Sequence, residues 1–165
     1  MSNAGLIVGE KYAIVVDSLT NENMARSFIR KIREVTNKPL RFLLNTHGDA
    51  DHIWTNHLFG ATTICHENCR DDTMRAHPEI YSVLFPELNF SGAKITPQDI
   101  TINKRMKIYM ETREIEVSIQ VWPTPQGISL FICQKRKLYF VEIFFFQVNA
   151  LLLQCLVASQ VALKP

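Results

Sequence analysis

The stretch Asn45-Thr46-His47-Gly48-Asp49-Ala50-Asp51-His52-Ile53-Trp54-Thr55-Asn56 decides how this chain is read, because His47, Asp49, Asp51 and His52 put four potential metal ligands inside six residues. Imidazole and carboxylate together suit zinc, manganese or iron, whereas calcium prefers oxygen alone. Alternate residues of an extended loop point the same way, so His47, Asp49 and Asp51 are expected on one side and His52 on the other. The competing reading is a polar turn in which Asp51 caps the helix that follows. A cluster this dense, directly after an apolar strand, favours ligation.

Upstream, Leu40-Arg41-Phe42-Leu43-Leu44 reads as a short, mostly buried strand, and functional groups gather in loops at the carboxyl ends of such strands. Before it, two β-rich runs between Gly5 and Val16 flank a Gly-containing turn and predict a hairpin. Asp17-Ser18-Leu19-Thr20 supplies N-cap candidates for a helix in which Met24, Phe28, Ile32 and Val35 form the apolar stripe among Arg26, Arg30, Lys31 and Arg33. Strand, helix and strand in this order predict an α/β layered fold. Downstream, helix is expected from Ile53 to Phe59, strand from Thr62 to Cys65 and helix from Glu67 to Arg75. Pro78 to Pro97 reads as an irregular lid or insertion, and strands follow from Asp99 onward.

The quoted stretch resembles the signature of the metallo-β-lactamase superfamily, Thr-His-x-His-x-Asp-His followed by an Asn. Ser2 to Val8 and Val15-Val16-Asp17 are similar to that family's opening strands and their terminal Asp. The resemblance runs over roughly residues 2 to 146. It implies an αββα sandwich, an α+β arrangement with one or two metals at the edge between its sheets. It also implies a metal-dependent hydrolase acting on an ester, thioester, lactone or phosphoester of a small-molecule substrate. His47 would then serve the first metal position, and Asp51 and His52 the second. Asp51 would be the catalytic carboxylate, orienting the attacking water and accepting its proton. Zinc is the expected metal, with iron or manganese as alternatives.

Four departures from the family pattern weaken that expectation. Asp49 stands where most members have histidine; the family's diiron redox branch has a carboxylate there, which leaves a redox protein as an alternative. The segment Trp122-Pro123-Thr124-Pro125-Gln126-Gly127 has the flanks of the family's third histidine without the histidine. Glu142, on an expected strand from Leu138 to Phe146, stands where the family has a bridging aspartate, and is the fifth candidate ligand. No histidine occurs after His77, so the last family ligand has no counterpart. The resemblance thus implies a domain over 1–146 that is shorter than the family at both ends. Its activity would be weakened or lost, and a non-catalytic remnant of the fold is the other reading.

Bulk properties narrow the partners. A net charge of +2 is spread along the 165 residues, and the densest basic run is Lys135-Arg136-Lys137, which reads as a turn; no nucleic-acid partner is expected. Cys65, Cys69, Cys133 and Cys155 form no CxxC pair, and no signal peptide is read at the start, so the expected setting is cytoplasmic. His57, His66 and His77 read as surface or packing residues. The tail 147–165 is apolar, but Gln147, Asn149, Gln154 and Gln160 disfavour membrane insertion, so burial or self-association through it is expected.

Overall fold

The computed structural model describes residues 3–111, 113–121, 128–134 and 138–140. A first sheet runs in the order β1 (Gly5–Val8), β2 (Ala13–Val16), β3 (Leu40–Leu44), β4 (Thr62–His66) and β5 (Ile100–Ile102). The expected hairpin is there, with β1 antiparallel to β2 and Gly9 N donating to Tyr12 O at 2.9 Å to close it. From β2 to β5 every neighbour is parallel. Parallel neighbours need a crossover, and helix α1 (Glu22–Val35) supplies it between β2 and β3. All four residues of β2 are buried, as a strand covered on both faces requires.

The second sheet is an antiparallel meander of β6 (Arg105–Met110), β7 (Arg113–Val121), β8 (Ile128–Gln134) and β9 (Leu138–Phe140). Alternation decides its faces. Ile108, Met110, Ile115 and Val117 turn inward onto Ile7, Tyr12, Ile14, Val16, Leu44 and Ile64 of the first sheet. On the other face Lys107 pairs with Glu114 at 2.8 Å and Arg105 with Glu116 at 4.0 Å. The first sheet's opposite face packs Ala13, Val15 and Leu43 against Ala25 and Ile32 of α1. Helix, sheet and sheet are three of the four layers of the expected αββα sandwich. Among the described residues no helix is long and apolar enough to cross a membrane.

Four local expectations are corrected. The apolar stripe of α1 is Ala25, Phe28, Ile29 and Ile32, and Val35, at 68% exposed, is not part of it. The α1 N-cap is Asn21, whose Oδ1 accepts from Met24 N at 3.0 Å, while Asp17 and Ser18 are engaged elsewhere. Between Ile53 and Phe59 there is no continuous helix. Instead α2 (Ala50–Ile53) and a 3-10 turn (Asn56–Leu58) are separated at Thr55, whose hydroxyl donates to Ser18 O. The segment after His77 is not wholly irregular either: Pro78 starts helix α4 (Pro78–Leu84), its fixed φ suiting the first helical position. By contrast α3 (Glu67–Arg75) falls where it was expected. Gln126, Lys135-Arg136-Lys137, Glu142 and the tail 147–165 lie outside the described residues.

Candidate metal centre

Because β2 and β3 are parallel neighbours, their carboxyl ends lie together, and Asp17 N donates to Leu44 O at 2.9 Å. Asp17 takes φ 59°, a left-handed conformation that aspartate tolerates better than most residues. Its carboxylate, 1% exposed, accepts from Thr46 N at 2.8 Å and Thr46 Oγ1 at 2.7 Å, and meets His52 Nδ1 at 2.9 Å. The His52 carbonyl accepts from Ser18 N at 2.9 Å, Ser18 Oγ at 3.1 Å and Asn45 Nδ2 at 2.9 Å. Both ends of His52 are therefore fixed. A carboxylate only accepts, so His52 Nδ1 carries the proton. Its Nε2 stands 3.6 Å from Asp51 Oδ1.

The single hydroxyl proton of Thr46 goes to Asp17, so Thr46 Oγ1 accepts from His47 Nδ1 at 2.9 Å. His47 Nε2 then faces Asp49 Oδ2 at 3.4 Å. Each imidazole thus turns its Nε2 toward a carboxylate oxygen, at a distance longer than an ordinary N–H···O bond. Imidazole nitrogen and carboxylate oxygen are donor types that a transition metal takes. The two rings lie 3.9 Å apart between centroids, so His52 is beside His47 and not on the far side of the loop. The one-turn helix α2 and the Asp17 anchor bring it back. The capping reading also fails: the N-cap of α2 is Asp49, whose side chain makes no cap bond, and Asp51 lies within the first turn.

The family model of the metallo-β-lactamase superfamily matches residues 1–141. The chain belongs to that superfamily. Its fold is similar to the FEZ-1 metallo-β-lactamase from Legionella gormanii, with a TM-score of 0.60, 13% identity, and 78% of this chain covering 50% of that one. It is similar also to the MIM-2 metallo-β-lactamase, with a TM-score of 0.56, 19% identity, and 78% of this chain covering 49% of that one. A B3 metallo-β-lactamase described as the first with an active site glutamic acid gives a TM-score of 0.57, 14% identity and coverages of 81% and 52%. The chain spans about half the length of these solved chains. No curated protein matches it.

For a metallo-β-lactamase centre the donors present fit in kind but come as two pairs, His47 with Asp49 and His52 with Asp51. Among the described residues no three His, Cys, Asp or Glu side chains are gathered closely enough to hold a metal. Electrostatics follow the pairing. Burial pushes the Asp17 carboxyl up, but His52, His47 and the Thr46 N–H together bring it below its ordinary value. Burial likewise raises Asp49, and His47 and His52 more than reverse it. Asp72 on α3 is raised by burial and by the nearby charge of Asp49. Gly48 is squeezed against α3: a Cβ there would stand 2.8 Å from Asp72 Cβ and 3.2 Å from Cys69 O.

Of the sequence candidates, the structure sets His47, Asp49, Asp51 and His52 in one short loop as two adjoining imidazole–carboxylate pairs. Glu142 falls outside the described residues. His57 and His77 are exposed, and His66, at the end of β4, caps α3 by accepting from Asn68 N at 3.1 Å. Candidate-site reasoning passed over Asp17, Asn45 and Asn56. For Asp17 and Asn45 the signal was a polar residue closing an apolar strand, Val16-Asp17 and Leu44-Asn45, where two parallel strands end side by side.

Proposed function

We propose that this chain is a metal-dependent hydrolase of the metallo-β-lactamase kind with a reduced centre. It would hold at most one transition metal, through His47, Asp51 and His52 with help from Asp49. The observation that carries the reading is the pair of imidazoles, each with Nδ1 on a buried oxygen and Nε2 toward a carboxylate. Zinc is the expected ion, and iron or manganese the alternatives. A neighbour described as having an active site glutamic acid supports a carboxylate such as Asp49 in the centre of this fold.

A metal here would lower the pKa of water and polarise a carbonyl or phosphoryl group. The chain's own contribution is positional. Asp17 orients His52 in the tautomer that ligation needs, as a buried carboxylate does behind many metal-bound imidazoles. Asp51, one-third exposed, would orient a water and take its proton. The substrate class is an ester, thioester, lactone or phosphoester, cleaved well below the rate of complete relatives.

Elemental analysis after dialysis tests this, with up to one equivalent per chain expected. Two retained equivalents would show that ligands outside the cluster complete a full centre. None, even at saturating zinc, would leave a remnant of the fold without its chemistry. If turnover is found, Asp51→Asn should remove it by a factor of about 10²–10⁴, the usual contribution of a placed acid–base group.

A further inference from the structure

Gln98 is remote from the motif in sequence, and its side chain is 1% exposed, in the loop before β5. Its Nε2 donates to Asn45 Oδ1 at 3.1 Å and to Thr73 Oγ1 at 3.1 Å. Asn45 in turn reaches the carbonyl of His52 through Nδ2 at 2.9 Å. The direction of this chain of bonds is fixed from the His52 end. A carbonyl only accepts, so Asn45 must turn its NH₂ group to His52 and its Oδ1 away. Asn56 Nδ2 and Gln98 Nε2 meet that oxygen at 2.8 and 3.1 Å. Thr73, on α3, spends its own hydroxyl proton on Cys69 O at 2.8 Å and can therefore only accept from Gln98. Oε1 of Gln98 has no hydrogen-bond partner among the described residues, so the amide is oriented by its donors alone.

We propose that Gln98 is a positioning residue for His52, acting through Asn45 and coupling the ligand loop to helix α3. The proposal rests on His52 being a metal ligand, as argued above. A carboxylate in the same shape would meet Asn45 Oδ1 with repulsion, and the asparagine could relieve it only by turning its oxygen toward the His52 carbonyl.

The test uses Gln98→Glu, which keeps the shape and removes the donors, and Gln98→Met, which removes the amide without burying a charge. Two quantities are read on the full chain. One is cobalt(II) affinity with the visible absorption of the bound ion; the other, in metal-free protein, is the exchange rate of the His52 Nδ1 proton by NMR. Both variants should weaken cobalt binding by about 10-fold or more, in the range seen when residues supporting a ligand are removed. They should also change the absorption band and speed the exchange. Ile32→Val, on the buried face of α1, should lower thermal stability and leave both readings unchanged, which separates positioning from mere loss of stability. Cobalt affinity and proton exchange that stay at the original values in Gln98→Met would overturn the proposal. If the unaltered chain binds no cobalt, the metal reading has failed. Gln98 is then judged by exchange in the metal-free protein, where an unchanged rate again overturns it.

Discussion

Two imidazoles in one short loop are held here by different means. His52 is 1% exposed, its ring anchored on Asp17 and its carbonyl gripped by Ser18 and Asn45. His47 is held at Nδ1 by Thr46, and its carboxylate partner Asp49 is 42% exposed on its side chain. The His52 pair is thus braced on both sides by buried groups, whereas the His47 pair ends in a carboxylate in contact with solvent. A ligand pre-set by buried hydrogen bonds loses little freedom on binding, so the His52 half should set whatever affinity the chain has.

The sharpest way to break this comparison is Asp17→Ala. The change strands Thr46 N–H, the Thr46 hydroxyl and His52 Nδ1–H in a buried setting at once. Removing one member of a buried pair typically costs about 3–5 kcal/mol, and that loss is expected in urea unfolding of the metal-free chain. The pH dependence carries a sign. The folded-state pKa of Asp17 lies below its ordinary value, so its stabilisation is complete above the usual aspartate range near about 3.9 and fades as pH falls through the lower folded value. The gap between the original chain and the variant should stay constant from neutral pH to about pH 5 and narrow below that range. A cost under about 1 kcal/mol, the level of an exposed ion pair, would mean that the bracing of His52 has been overstated.

Gly48→Ala is the next largest and probes the junction of the loop with α3. The new methyl group would meet Asp72 Cβ at 2.8 Å and the backbone oxygen of Cys69 at 3.2 Å, and a backbone atom cannot swing aside. Overpacking of this kind costs about 1–3 kcal/mol, and a matching drop in thermal stability is expected. Metal affinity should fall too, because the loop must shift between His47 and Asp49. If stability falls while affinity holds, the His47 half contributes little to binding, and the contrast with His52 grows.

How much of this was legible depends on how local the contacts are. The two imidazole–carboxylate pairs were legible as candidates because their members are neighbours in sequence, and helix α3 because its pattern runs over nine residues. The placement of His52 was misjudged, since an extended-loop rule was applied where one turn of helix intervenes. Asp17 binds across 35 residues to His52, and Gln98 across 53 to Asn45. Those contacts follow from β2 and β3 running parallel and from β5 joining the same sheet, and no local pattern announces them. Val35 continues the helical spacing of α1 yet is exposed, while Ala25 and Ile29 carry the packed stripe that the spacing of Met24 and Val35 missed.

The smallest expected effect is that of Asp49→Asn on stability. Asp49 has a lowered pKa, with burial opposing and His47 prevailing, so its sign is that of Asp17: a stabilisation present above the ordinary carboxylate range and lost below it. Its size is another matter. The side chain is 42% exposed and 3.4 Å from His47 Nε2, and at such exposure solvent screens most of the attraction. Exposed pairs contribute about 0.2–1 kcal/mol, so the urea midpoint should move little at neutral pH and not at all in acid. Metal affinity is the more sensitive reading, because an asparagine can still offer a neutral oxygen while the charge that favours a divalent ion is gone. A small loss of stability with a clear loss of affinity would assign Asp49 to the metal. A stability loss as large as that of Asp17→Ala would instead show that the His47 half is braced as firmly as the His52 half, and the distinction between them would go.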